Sequence, residues 1–174
     1  PPTVAPVRIL VVDDEAAVLD AYRQVLGNPV TSVARAEIDD LRKRLFLSGG
    51  AAALAATRSR GLAPFEAEYC DGAEAAVAAV RAACSVGRPY AVVFLDMRMP
   101  PGPDGAWAAE RIRELDPQAE IVICTAYSDV DPAVIAQRVP PTDQLFYLQK
   151  PFHPHEVRQL AHALGARRTS AQQR

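Results

Sequence analysis

Five residues that could do chemistry together stand at the ends of apolar runs. Asp13 and Asp14 follow VRILVV, Asp96 follows AVVFL, Thr125 follows IVIC, and Lys150 comes just after LFYLQ. Brought to one place, three carboxylates repel one another, and without a cation at least one would have its pKa raised. A divalent metal removes that conflict. An all-oxygen donor set suits Mg2+, which keeps several waters and binds through a few carboxylates together with a phosphoryl oxygen. The Lys150 ammonium and the Thr125 hydroxyl would then compensate charge on a transferring phosphoryl group while one carboxylate acts as nucleophile. Asp96 is the choice for that role, because the run before it, Ala91 to Leu95, is continuously apolar and suits a central strand covered on both faces. The proline- and glycine-rich turn that follows, through Gly105, leaves the carboxylate at a solvent edge.

The pattern between these residues predicts the elements that must position them. Val7 to Val12 reads as a first strand, and Ala16 to Leu26 as a helix with Val18, Tyr22, Val25 and Leu26 on one stripe, ended by Gly27, Asn28 and Pro29. Glu66 to Cys70 reads as a second strand, followed by an alanine-rich helix with Ala73, Val77 and Val80 inward. After the third strand, Gly105 to Leu115 has Ala108, Ile112 and Leu115 on one face, and Ile121 to Cys124 is a fourth strand. Asp131-Pro132 is a cap-plus-first-turn pair for a short helix through Arg138. Leu145 to Leu148 is strand five, and His153 to Glu156 opens a last helix with Val157, Leu160, Ala161 and Leu164 inward. Five alternations of strand and helix imply right-handed crossovers and an α/β, doubly wound, flavodoxin-like parallel sheet. Five strands fit the order 2-1-3-4-5, which makes strands one and three neighbours and gathers Asp13, Asp14, Asp96, Thr125 and Lys150 at the carboxyl edge.

Composition narrows the functional classes. The chain has 174 residues and a formal charge of -2, without a Lys/Arg run dense enough for a nucleic-acid stripe or a membrane anchor. No segment is long and apolar enough for a membrane span and Pro1 to Val7 has no leader character, so a cytoplasmic protein is expected. Cys70, Cys84 and Cys124 are odd in number and lack CxxC spacing, which reads as buried thiols. His153, His155 and His162 lack metal-site spacing and read as surface residues.

VVDD at Val11 to Asp14, FLDMRMP at Phe94 to Pro100, TAY at Thr125 to Tyr127 and LQKPF at Leu148 to Phe152 together resemble the receiver domain of two-component response regulators, of the chemotaxis-regulator type. The resemblance implies that Asp96 is the phosphoacceptor, Asp14 a direct Mg2+ ligand, Asp13 a direct or water-mediated one, and the Arg98 backbone carbonyl a further ligand. It implies that Thr125 is the switch hydroxyl, Lys150 the phosphoryl-pairing lysine, Tyr147 the switch aromatic, and Arg98 and Tyr127 the residues that tune the lifetime of the phosphoryl group. It also implies a cis Lys150-Pro151 bond. The function that follows is a phosphorylation-controlled binding switch in a phosphorelay, fed by a sensor histidine kinase or a histidine phosphotransfer protein, and not an enzyme acting on a diffusible substrate.

A haloacid-dehalogenase-like phosphatase is the rival, since it too uses an aspartyl nucleophile, Mg2+, Thr and Lys; it wants a second acid two residues after the nucleophile, where Arg98 stands. A Rossmann-type cofactor module is a weaker third, because DDEAA after the first strand lacks the glycine fingerprint. Residues 1–174 read as a single receiver domain with an insertion, Asn28 to Pro64, between the first helix and second strand. Within it Ile38, Leu41 and Leu45 sit at helical spacing, to pack on the domain itself or to dock a partner or a second copy. Topology sends this insertion to the edge opposite Asp96. Residues 166–174 read as a polar tail, and the missing initiator Met and the stop at Arg174 lean towards a receiver cut from a longer sensor kinase or signalling enzyme rather than a single-domain regulator.

Overall fold

The computed structural model describes residues 5–27, 63–126 and 131–172. Its five strands are β1 (Val7–Val12), β2 (Phe65–Cys70), β3 (Val92–Asp96), β4 (Glu120–Thr125) and β5 (Leu145–Gln149). They form one parallel sheet in the order β2-β1-β3-β4-β5. The described helices are α1 (Ala16–Leu26), α2 (Ala73–Ser85), α3 (Gly105–Leu115), α4 (Pro132–Arg138) and α5 (Pro154–Gln172). This is the doubly wound, flavodoxin-like architecture expected from the pattern of elements.

Alternation along the strands divides the core in two. Leu10, Val12, Val93, Leu95, Ile121 and Ile123 face α2, α3 and α4. Ile9, Val11, Val92, Phe94, Val122 and Cys124 face α1 and α5. Because helices cover both faces, β3 is buried at every position, whereas the edge strand β2 is only half-buried. The inner stripe of α1 is Leu19, Tyr22 and Leu26, with Val18 and Val25 half-buried at its margins, a rotation of the expected stripe toward Leu19. Leu115 likewise sits at the margin of α3, and its place is taken by Ala109 and Arg113.

Caps fix where three helices begin. The Asp104 carboxylate accepts from the Trp107 amide at 2.8 Å, and Asp131 from the Ala133 amide at 2.9 Å. Glu156 reaches back to accept from the His153 amide at 2.6 Å.

Residues 166–172 of the expected polar tail are instead the last part of α5, which runs through Gln172. Arg168 is buried, and its Nη2 donates to both Asp116 oxygens at 3.1 and 2.8 Å. Arg167 pairs with the buried Glu120 at 3.1 Å. Arg113 donates to the carbonyls of Pro117, Ala119 and Gln144, tying α3 to the segments that start β4 and β5. At Gly165 an added Cβ would come within 2.5 Å of Val7 Cγ1, so this glycine lets α5 lie close on β1.

The expected insertion, with its stripe of Ile38, Leu41 and Leu45, lies outside the described residues from Asn28 to Leu62. The chain leaves at Gly27, after α1, and returns where the Pro64 carbonyl accepts from the Val7 amide at 2.8 Å. Both points are at the amino edge of the sheet, opposite the ends of β1 and β3. Among the described residues, no helix is long and apolar enough to cross a membrane.

Candidate functional site

Strand register builds the site. Val12 pairs with Leu95 in adjacent strands, so the residues that follow them, Asp13 and Asp96, leave the sheet side by side. Asp96 in turn pairs with Cys124, which places Thr125 one step beyond on the next strand. The Lys150 amide donates to the Thr125 carbonyl at 2.9 Å, which fixes the start of the β5–α5 loop, where the Lys150-Pro151 bond is cis.

The side chains meet there. Asp13, Asp14 and Asp96 each present a carboxylate oxygen within 4.8 Å of the others. Lys150 Nζ lies 2.6 Å from Asp13 Oδ2 and 2.9 Å from Asp96 Oδ1. Asp13 is 1% exposed and its other oxygen accepts from the Glu15 amide at 2.9 Å, so a single residue both lines the pocket and starts the turn into α1. Asp14 is exposed at the rim. Burial pushes the Asp96 carboxyl up from its ordinary value; Lys150 opposes this, and the Asp13 and Asp14 charges add to it. Burial works against the Lys150 ammonium, yet its hydrogen bonds to Asp13 and Asp96 prevail and raise its pKa.

This donor set fits a hard divalent cation. It consists of oxygen alone, it is open on the Asp14 side, and its charge conflict is only partly met by Lys150, since Asp96 stays raised. The penalty has a measurable sign. A carboxyl whose folded pKa lies above its unfolded value is without cost below the unfolded pKa and becomes destabilising as pH rises through the folded one. Without divalent cations, Asp96→Asn is therefore expected to be more stable than the wild type at neutral pH, and the gain to shrink as pH falls through the carboxylate range. Thermal unfolding at several pH values checks this; a gain independent of pH would contradict it.

The other expected residues take varied places. The Thr125 hydroxyl donates to the Ala126 carbonyl at 2.9 Å. Tyr147, 37% exposed on the edge strand β5, donates to the Pro132 carbonyl at 2.9 Å and so spans from β5 to the start of α4. Arg98 is exposed in the β3–α3 loop, which Met97 and Met99 anchor in the core. Tyr127 lies outside the described residues. His153 and His155 are exposed, and His162 is half-buried against the Phe65 ring at 4.3 Å. The thiols are free, Cys124 buried and Cys70 and Cys84 half-buried.

Sequence reading missed a support of Asp96. A Cβ at Gly105 would stand 2.1 Å from the Asp96 carbonyl oxygen, and the Gly105 amide donates to the Met97 carbonyl at 3.0 Å. The start of α3 thus presses on the backbone of Asp96, and no side chain is admitted between them. The signal was present as a glycine directly after the Asp104 cap, in a turn already rich in proline and glycine.

A family model for the response regulator receiver domain matches residues 60–162. The photosynthetic apparatus regulatory protein RegA of Rhodovulum sulfidophilum is 37% identical over 102 residues, which cover 59% of this chain and 49% of that protein; the chain thus spans about half the length of this curated relative. A CheY-like response regulator receiver domain protein from Methanospirillum hungatei JF-1 superposes with a TM-score of 0.63 at 18% identity, covering 96% of this chain and 99% of that one. The signal receiver domain of an HD domain-containing protein from Pseudomonas fluorescens Pf-5 gives 0.63 at 18% identity, covering 100% and 96%. At such identities these two structures speak for the fold.

Proposed function

The chain belongs to the response regulator receiver family, and on that premise we propose that it takes a phosphoryl group from a partner phosphohistidine onto Asp96 and thereby switches a binding surface. The observation that carries this reading is the Lys150 ammonium lodged between Asp13 and Asp96 at the end of the central strand. Asp96 Oδ attacks phosphorus, an O–P bond forms as the N–P bond to the histidine breaks, and the electron pair returns to the imidazole nitrogen. Lys150 holds the carboxylate in place and meets the negative charge that arrives with the phosphoryl oxygens. Mg2+ held by Asp13, Asp14, Asp96 and the Arg98 backbone carbonyl would supply the remaining charge neutralisation.

The switch is assigned to Thr125 and Tyr147. The Thr125 hydroxyl, now bonded to the adjacent Ala126 carbonyl, can turn to a phosphoryl oxygen at little cost. Tyr147 ties β5 to α4 through the Pro132 carbonyl, so a shift of the β4–α4 connection would be felt there. The protein acts in the cytoplasm, and its partners are a sensor histidine kinase or histidine phosphotransfer protein, with an output domain or a second copy reading the switch.

The test is the intact mass after incubation with acetyl phosphate and Mg2+. One added phosphoryl group is expected in the wild type and none in Asp96→Asn, and undiminished labelling of that variant would refute the assignment. Catalytic turnover of a generic phosphomonoester would instead favour the haloacid-dehalogenase-like reading. Arg98 and Tyr127 follow Asp96 and Thr125 by two residues, and their bulk is assigned to shielding the phosphoryl group from water. Arg98→Ala with Tyr127→Ala should hasten its decay; an unchanged rate would remove that role.

A further inference from the structure

Tyr22 is the largest fully buried side chain of α1, and its ring and hydroxyl do different things. The ring packs at a tilt against Phe94, with centroids 5.6 Å apart, and against Phe152, at 5.0 Å. The hydroxyl lies 3.1 Å from Cys124 Sγ. Burial beside that thiol, together with the charges of Asp13 and Asp96, raises the Tyr22 pKa well above its ordinary value, so the phenol stays neutral. Burial likewise pushes the Cys124 thiol up to about 12, so the contact is a neutral hydrogen bond and the thiol is not a nucleophile.

Each of the three contacts lies next to a group of the phosphoryl pocket. Phe94 stands two residues before Asp96 on β3. Cys124 is the register partner of Asp96 and the residue before Thr125. Phe152 follows Lys150 and Pro151 in the loop that carries the ammonium. A fully packed side chain transmits displacement to its neighbours, because interiors have no slack to absorb it.

We propose that Tyr22 is a positioning residue for phosphoryl transfer, a brace from α1 that holds the strand ends bearing Asp96, Thr125 and Lys150 at their mutual spacing. This rests on the phosphoacceptor reading of Asp96. Of the carboxylates assigned to the cation only Asp96 leans on this brace, so its loss should weigh far more on the transfer geometry than on cation binding. Asp13 is held separately, by the Glu15 amide and by its own amide on the Cys70 carbonyl at 3.1 Å, and Asp14 stands at the exposed rim.

The prediction is a split between two measurements on the full chain. Acetyl phosphate is the phosphodonor, at saturating Mg2+, and Mg2+ affinity is titrated by calorimetry. Tyr22→Leu removes the ring and the hydroxyl and should slow Asp96 labelling by about ten- to a hundredfold, the scale on which small misplacements of reacting groups act. Its Mg2+ dissociation constant should rise by no more than about threefold, an energy difference of about 0.7 kcal/mol, since Asp13 and Asp14 remain in place. Tyr22→Phe keeps the ring stack and should recover most of the rate. If Tyr22→Leu does not fold, Phe152→Leu should give the same split, since it removes only the contact toward Lys150. A wild-type labelling rate in these variants overturns the inference alone, as does a parallel fall of rate and Mg2+ affinity, which would mark a general loss of packing. A wild-type chain that takes no label overturns the phosphoacceptor reading and this inference with it.

Discussion

Replacing Lys150 by Met should lower the rate of Asp96 phosphorylation by about 10²- to 10³-fold, the usual consequence of removing one preorganised group that meets charge developing in a transition state. The geometry explains why so much depends on one side chain. Lys150 Nζ touches Asp13 and Asp96 at once, so under the proposed function it would both aim the Asp96 carboxylate and be in place before the phosphoryl oxygens arrive. Methionine keeps the length and apolar bulk of the stem, which separates loss of charge from loss of packing. Stability has its own signature. In the wild type, the raised Lys150 pKa keeps the ammonium charged throughout the neutral range, so its side of the pairing is lost only in alkali. In Lys150→Met, the buried Asp13 and Asp96 would face each other without an ammonium. The variant should be less stable than the wild type at neutral pH, and should recover as pH falls through the carboxylate range or as Mg2+ is added. Labelling kinetics together with thermal unfolding at several pH values and Mg2+ concentrations check both parts. A rate within a few-fold of the wild type would exclude Lys150 from the transfer.

Asp116→Ala should cost about 3–5 kcal/mol, because it leaves the buried Arg168 without its charge partner. Arg168 is 5% exposed, and its Nε and Nη1 have no hydrogen-bond partner among the described residues, so Asp116 carries nearly all of its compensation. For a chain of this size the loss corresponds to a fall in Tm on the order of 10 °C. Replacing both partners at once, as Asp116→Leu with Arg168→Met, should restore most of the stability, since an apolar pair of similar volume avoids the desolvation of two charges. The site lies at the amino edge of the sheet, far from Asp96, so acetyl phosphate labelling of the folded variant should proceed at the wild-type rate. Unfolding of the two variants beside the wild type checks this, and a loss below 1 kcal/mol in Asp116→Ala would show that solvent, and not Asp116, satisfies Arg168.

What could be read from the sequence, and what could not, divides along the range of the interactions. Strand and helix are written in local periodicity: the continuous apolar run before Asp96 demands cover on both faces, and Asp131-Pro132 is a cap whose bond to Ala133 closes within two residues. The order of the sheet follows from chain topology, because right-handed crossovers in a five-stranded sheet leave few arrangements. The pocket residues were legible for the same reason: polar residues that end apolar strands of one parallel sheet come to one edge wherever their side chains point. Contacts between residues far apart in the chain were not legible. Nothing in the pattern near Gly165 announces that Arg168 will find Asp116 across 52 residues, and with polar spacing on every side the segment resembled a tail. Its helix is held by tertiary ion pairs and by the close approach of Gly165 to Val7, neither of which leaves a periodic mark. Tyr22 was legible as an inner residue of α1, but its hydroxyl on Cys124 and its ring between Phe94 and Phe152 depend on how α1 is rotated and set against the sheet. That rotation, which made Leu19 and not Val18 the centre of the stripe, is settled by packing against β1, β3 and α5 together. The gathering of these groups at the carboxyl edge was therefore determined by residue type and topology, while the precision with which they are held was decided by packing in three dimensions.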